Sequence, residues 1–100
     1  MKAPLLLAAA FACAPLVAHS QDRAVARNLA VACAICHGTE GRAATMDVIP
    51  LAALPKDRIV SQMKAFRDGS RHATVMHQIA KGYTDAEIDA MAAWFAPHKR

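Results

Sequence analysis

The sequence predicts an all-α domain, with helices at both ends of the chain and a long irregular segment between them. Apolar residues recur at three- and four-residue intervals in separate stretches, the mark of helices with one buried face. Residues 38–55 (GTEGRAATMDVIPLAALP) hold two glycines and two prolines with no sustained period, which reads as a loop. No stretch alternates with period two for long enough to form a strand.

Residues 1–20 stand apart from that domain. Met1-Lys2 gives a short positive start, LLLAAAFACAPLVA (residues 5–18) is an uncharged run of 14 residues, and Ala18-His19-Ser20 offers small residues at both positions a signal peptidase inspects. A membrane span needs about 20 apolar residues. The segment therefore reads as an export signal cleaved after about Ser20, which removes Cys13. Lipid modification of Cys13 is disfavoured by the bulk of Phe11. The mature domain is residues 21–100, without a membrane span.

Loss of Lys2 leaves eleven basic and eight acidic side chains, a net charge of +3. No run of Lys or Arg is longer than Lys99-Arg100, so the charge is too dispersed for a nucleic-acid footprint. A domain of 80 residues buries only roughly 60–65% of its surface and often leans on a disulfide, metal or cofactor. Cys33 and Cys36 would close too small a loop to constrain the unfolded chain much. Something else completes this core.

The first helix is expected from Asp22 to about Cys36, with Val25, Leu29, Ala32 and Cys36 on its inner face. After the loop, Pro55 suits the first turn of a second helix whose inner face is Ile59, Met63 and Phe66, ending near Gly69. A short third helix runs from about Thr74 to Lys81 and stops at Gly82. Thr84 and Glu87 form a capping box, so the last helix spans Asp85 to about Ala96 with Ile88, Met91, Ala92 and Phe95 inward; Pro97 ends it.

The first helix delivers CAICH at residues 33–37. Zinc needs four ligands, and no second Cys-x-x-Cys or His-x3-His pair is present. A thioredoxin-like dithiol expects a strand before it and a sheet around it. Covalent haem c accounts for both cysteines and the histidine together. Cys33 and Cys36 each add to one porphyrin vinyl group, the spacer matches the vinyl separation, and His37 lies under the iron. Bacteria attach this haem outside the cytoplasm, which agrees with an export signal and a periplasmic location.

For the sixth iron position the chain offers Met46, Met63, Met76, Met91, His72, His77 and His98. Met63 and Met91 fall on apolar helix faces, where a methionine is ordinarily core filler. Met46 follows His37 by nine residues, too few to cross a porphyrin, whereas Met76 follows by 39, enough to return on the far side. His72 and His77 flank Met76 and are the rival ligands.

CAICHGTEG, then Pro50, QMKAFRDGSR (62–71), VMHQIAKGYTDAEI (75–88) and AAWFA (92–96) resemble the class I cytochromes c of the short bacterial c4 and c553 type. The resemblance covers nearly all of residues 24–96. Within that group, RNLAVACAICHGTEG and ATVMHQIAKGYTDAEIDAMAAWF are most similar to the haem subunit of flavocytochrome c sulfide dehydrogenase. It implies a small class I cytochrome c fold: crossing first and last helices, with Trp94 or Phe95 near Ala26 and Ala30, and a haem enclosed by the long loop and two further helices. It also implies Met76 as the second axial ligand beside His37, and the Pro50 carbonyl as acceptor for the outer nitrogen of His37. Relatives commonly carry Gly at position 26, Gly at 53, Pro at 72 and an aromatic residue at 58. This chain has Ala26, Ala53, His72 and Arg58.

With side chains on both axial positions the protein is an electron carrier, not an enzyme by itself. Its partner by resemblance is an FAD-containing flavoprotein subunit that oxidises sulfide; the alternative is a free soluble shuttle between respiratory complexes. A peroxidase would need Met76 to leave the iron. Lys56, Arg58, Lys64, Arg67, Arg71 and Lys81 fall in the Met76 half, either as a basic docking rim or as an ordinary solvated surface.

Overall fold

The computed structural model describes residues 14–100; the first thirteen residues of the expected export signal, Cys13 among them, lie outside the described residues. The helices are α1 (Ala14–Val31), α2 (Ala34–His37), α3 (Lys56–Asp68), α4 (Met76–Ala80) and α5 (Asp85–Phe95), with a 3₁₀ turn at Thr39–Gly41. The described residues contain no strand, as the all-α expectation requires. None of their helices is long and apolar enough to cross a membrane.

Helix α1 differs from its expected bounds at both ends. It begins within the segment read as export signal, where Pro15 sits in the first turn and removes no helical hydrogen bond. It stops at Val31 because the Cys33 N–H reaches back only three residues, to the Ala30 carbonyl at 3.0 Å, a tightening common at helix ends. The separate turn of α2 follows, closed by the His37 N–H on the Cys33 carbonyl at 2.9 Å.

The buried stripe of α1 also differs from the expected one. Ala26 and Ala30 are buried, whereas Val25 is 56% exposed and Ala32 is exposed. Side-chain size decides this, since α1 packs on α5 and two helices approach closely only across small residues. Ala30 joins Ile59, Ala92 and Phe95 in one buried cluster, with Trp94 packed against it. The expected crossing of first and last helices is thus present. Among the described residues five of the nine buried apolar ones are alanines, so the helices bury little hydrophobic area against one another.

Helix α3 follows Pro55 and ends before Gly69, as expected. Helix α4 is shorter than expected by a residue or two at each end, a normal uncertainty of helix termini. The capping box of α5 is complete: Thr84 Oγ1 accepts from the Glu87 N–H at 3.2 Å, and Glu87 Oε1 accepts from the Thr84 N–H at 3.3 Å. Ile88, Met91, Ala92 and Phe95 are its buried residues, the four expected.

The long loop is closed at its base by Gly41. Its carbonyl accepts from the Leu51 and Ala52 N–H groups at 2.9 and 3.1 Å, and the Ala53 N–H reaches the Phe95 carbonyl at 3.4 Å. Gly41 has φ +79°, and a Cβ there would lie 2.7 Å from the Ala52 nitrogen and 2.8 Å from Phe95 Cδ1. Ala53 adopts φ 63°, a left-handed conformation that costs a residue with a Cβ about 1–2 kcal/mol. That strain explains the glycine usual in similar sequences. The chain end is tied to the same region, with Arg42 Nε donating to the Lys99 carbonyl at 2.7 Å and Nη1 to Glu40 at 2.7 Å.

Ion pairs fasten α3 to α5. Lys56 meets Asp89 at 2.8 Å, Lys64 meets Asp85 at 3.4 Å, and Arg67 binds the same Asp85. The Arg67 hydrogen bond, then the charges of Arg67 and Lys64, hold the Asp85 carboxyl below the ordinary aspartate range.

Gly41→Ala is expected to lose about 2–4 kcal/mol, from backbone strain and overpacking together, by denaturant unfolding. Ala53→Gly is expected to gain about 0.5–1 kcal/mol, the relief of strain exceeding the added chain entropy. Because the folded-state value of Asp85 lies below the unfolded one, its pairs stabilise above the ordinary aspartate value of about 3.9, and this contribution fades as pH falls through the lowered value. Asp85→Asn should therefore unfold at lower denaturant than the native protein near neutral pH, and the two midpoints should converge in acid.

Candidate haem site

A cavity of about 510 Å³ lies among α2, the loop, α3 and α4, within the range of about 300–1,000 Å³ common for cofactor sites. Cys33, Cys36, His37 and Met76 all line it, although Met76 is far from the other three in sequence. Its walls are mostly apolar, built from side chains such as Leu51, Leu54, Ile59, Phe66 and Phe95.

His37 is oriented by a hydrogen bond from Nδ1 to the Ile49 carbonyl at 2.7 Å. A carbonyl only accepts, so the proton sits on Nδ1 and the Nε2 lone pair is left for a metal. The acceptor corrects the expected one, which was the carbonyl of Pro50. A residue before proline is held extended, so the Ile49 carbonyl has no helical partner and stands free to accept. Pro50 was thus the right signal, and its effect falls one residue earlier.

Burial pushes the Cys33 thiol up, and the adjacent Cys36 sulfur adds to the shift. Dithiol exchange and zinc ligation both call for thiolates, with lowered pKa values. An uncharged thioether is better suited to such a position. Among the described residues no group of three or more His, Cys, Asp or Glu side chains gathers to hold a metal ion by itself.

Of the other candidate ligands, Met63, Met91 and His72 also line the cavity, and Met46, His77 and His98 do not. Met91 is 3% exposed and Met63 packs on the buried cluster, the core-filling role expected of both. Met46 is fully exposed. His98 instead sets its ring on the edge of Trp94, with centroids 4.8 Å apart.

Three of the six basic residues of the Met76 half are held in ion pairs. Lys56, Lys64 and Arg67 are paired with the acids that open α5. Arg58 and Arg71 line the cavity, and Lys81 is exposed. The signal for this pairing was the acidic start of α5, whose packing on α3 was not legible from the sequence.

No family model matches the chain. It is 41% identical over 68 residues to the cytochrome subunit of sulfide dehydrogenase from Chlorobaculum tepidum, covering 67% of this chain and 60% of that protein's length. It is 31% identical to cytochrome c-554(548) from Halomonas halodenitrificans over 78 residues, 75% of this chain and 94% of that protein. The solved structure of cytochrome c4 from Acidithiobacillus ferrooxidans superposes with a TM-score of 0.65 at 30% identity, covering 78% of this chain and 48% of that one. A relative matched over nearly its whole length and a shared helical fold lead to one family: the chain belongs to the class I c-type cytochromes, haem proteins of electron transport.

Proposed function

We propose that this chain is a periplasmic electron carrier with one covalent haem c, attached through Cys33 and Cys36 and ligated by His37 and Met76. In this reading it takes electrons from an FAD-containing sulfide dehydrogenase subunit and passes them to a downstream acceptor. The observation that carries it is an apolar cavity lined by all four residues together.

When bound, the haem iron supplies a one-electron couple. Cys33 and Cys36 would hold the haem through thioether bonds, which carry no charge and so suit the burial of Cys33. His37 is held in one tautomer and orientation by its bond to Ile49. Met76 is the first residue of α4, and its thioether on the iron would favour the reduced form and raise the potential. With His37 and Met76 both holding the iron, no open position would be left for substrate, so the chain would move electrons only. The apolar walls keep water away, which limits reorganisation as charge comes and goes.

The sulfide partner is supported by the Chlorobaculum relative, by its name the cytochrome subunit of such a dehydrogenase, of which this chain spans 60%. The free-shuttle reading is supported by the Halomonas cytochrome, matched over 94% of its length. Co-purification of FAD with the chain, and its reduction on adding sulfide, separate the two.

In protein matured in a host that attaches haem c, the oxidised form should show the weak far-red sulfur-to-iron band. Met76→Ala should abolish that band, keep the haem and lower the potential. A band that survives the substitution would remove Met76 from the iron.

A further inference from the structure

Residues 71–76 run along one wall of the apolar cavity and carry two groups able to ligate iron: Met76, half-buried at the start of α4, and His72, exposed four residues earlier. The imidazole of His72 is uncommitted. Neither of its ring nitrogens has a protein partner among the described residues, whereas His37 is bonded to the Ile49 carbonyl and His98 faces Glu40 at 3.8 Å. His77 stands outside the cavity with its Nδ1 buried. The backbone around His72 is as loosely held as its ring. No N–H group of residues 72–75 donates to a backbone carbonyl among the described residues. The stretch is tied only before and after, by the Arg71 N–H on the Ala65 carbonyl at 3.1 Å and the Gln78 N–H on the Val75 carbonyl at 3.0 Å. Helix α4 begins without a side-chain cap, and a stretch with few backbone hydrogen bonds opens at little cost in free energy.

Imidazole suits iron as a ligand, and a thioether in its place raises the potential by favouring the reduced form, so oxidised iron is the state that accepts imidazole most readily. We propose that His72 is a reserve axial ligand: when Met76 leaves the iron, residues 72–75 shift along the cavity wall and His72 takes the vacated position. Four residues put the two Cα atoms at most about 14 Å apart, and no helix fixes that span. The inference rests on the haem reading above and adds a second ligand state to it. Without a replacement for Met76 the iron would have an open position, the condition that peroxidase chemistry needs. With His72 in place the position stays closed, and the chain remains an electron carrier at a lower potential.

The test compares full-length holoproteins carrying Met76→Ala, Met76→Ala/His72→Ala and Met76→Ala/His77→Ala, all at one pH. Oxidised Met76→Ala should show the low-spin absorption and electron paramagnetic resonance of iron held between two imidazoles. Removing His72 as well should convert it to the high-spin form, and removing His77 should leave it low-spin. Carbon monoxide gives a second readout on the reduced proteins. With His72 on the iron about nine-tenths of the time, Met76→Ala should bind it about tenfold more slowly than Met76→Ala/His72→Ala does.

A high-spin Met76→Ala protein, or a low-spin signal that survives in Met76→Ala/His72→Ala, overturns the inference. The first outcome means that no side chain takes the position, and the second that another one does. If Met76→Ala does not mature, Met76→Leu keeps the bulk at the start of α4 and carries the same comparisons, with the same results overturning the inference. The native spectrum is recorded alongside. A native chain without covalent haem, or without the far-red band, defeats the haem or the Met76 reading itself, and the inference falls with it.

Discussion

The fold depends on the close contact at Gly41, where the turn after the CAICH segment meets the base of the loop and the end of α5. Space for no more than a hydrogen exists between its Cα and the Ala52 backbone and Phe95 ring. From that contact the Gly41 carbonyl closes the loop on Leu51 and Ala52, which sets where Ile49 and Pro50 stand. The Ile49 carbonyl then orients His37. Phe95 in turn belongs to the cluster that joins α1, α3 and α5. One backbone approach thus links the helix crossing to the histidine.

Where local chemistry decides structure, the sequence could be read directly. The capping box of Thr84 and Glu87 gave the start of α5 to the residue, and Pro55 and Gly69 bracket α3 because proline's fixed φ suits a helix start and glycine takes the left-handed conformation that ends one. Where packing decides, the reading slipped. The apolar period of α1 put Val25 inward, but the approach of α5 selects the smaller Ala26 and Ala30. The break before Cys33 leaves no mark in the period, since it arises from a tightened turn. Ala53 stands at a position whose positive φ only the structure reveals.

The site was legible to a similar extent and for similar reasons. CAICH carries its expected chemistry in five consecutive residues, and Met76 is the ligand that chain length and resemblance lead one to expect. The structure brings these residues to one cavity, while the hydrogen bond of His37 falls on the carbonyl before Pro50. The basic residues of the Met76 half read along the chain as either a docking rim or a solvated surface. In three dimensions Lys56, Lys64 and Arg67 meet acids of α5, Arg58 and Arg71 line the cavity, and Lys81 is exposed, an arrangement the sequence gives no hint of.

The central claim is that Cys33 and Cys36 hold one haem covalently within this fold. Its most direct test is the intact mass of the matured protein under denaturing conditions, with peptide mapping of the CAICH segment. The expected mass is greater by one haem, located on the peptide that contains both cysteines, and the increment is lost from a Cys33→Ser/Cys36→Ser protein. A chain of unmodified mass, or a haem that dissociates on denaturation, would contradict it.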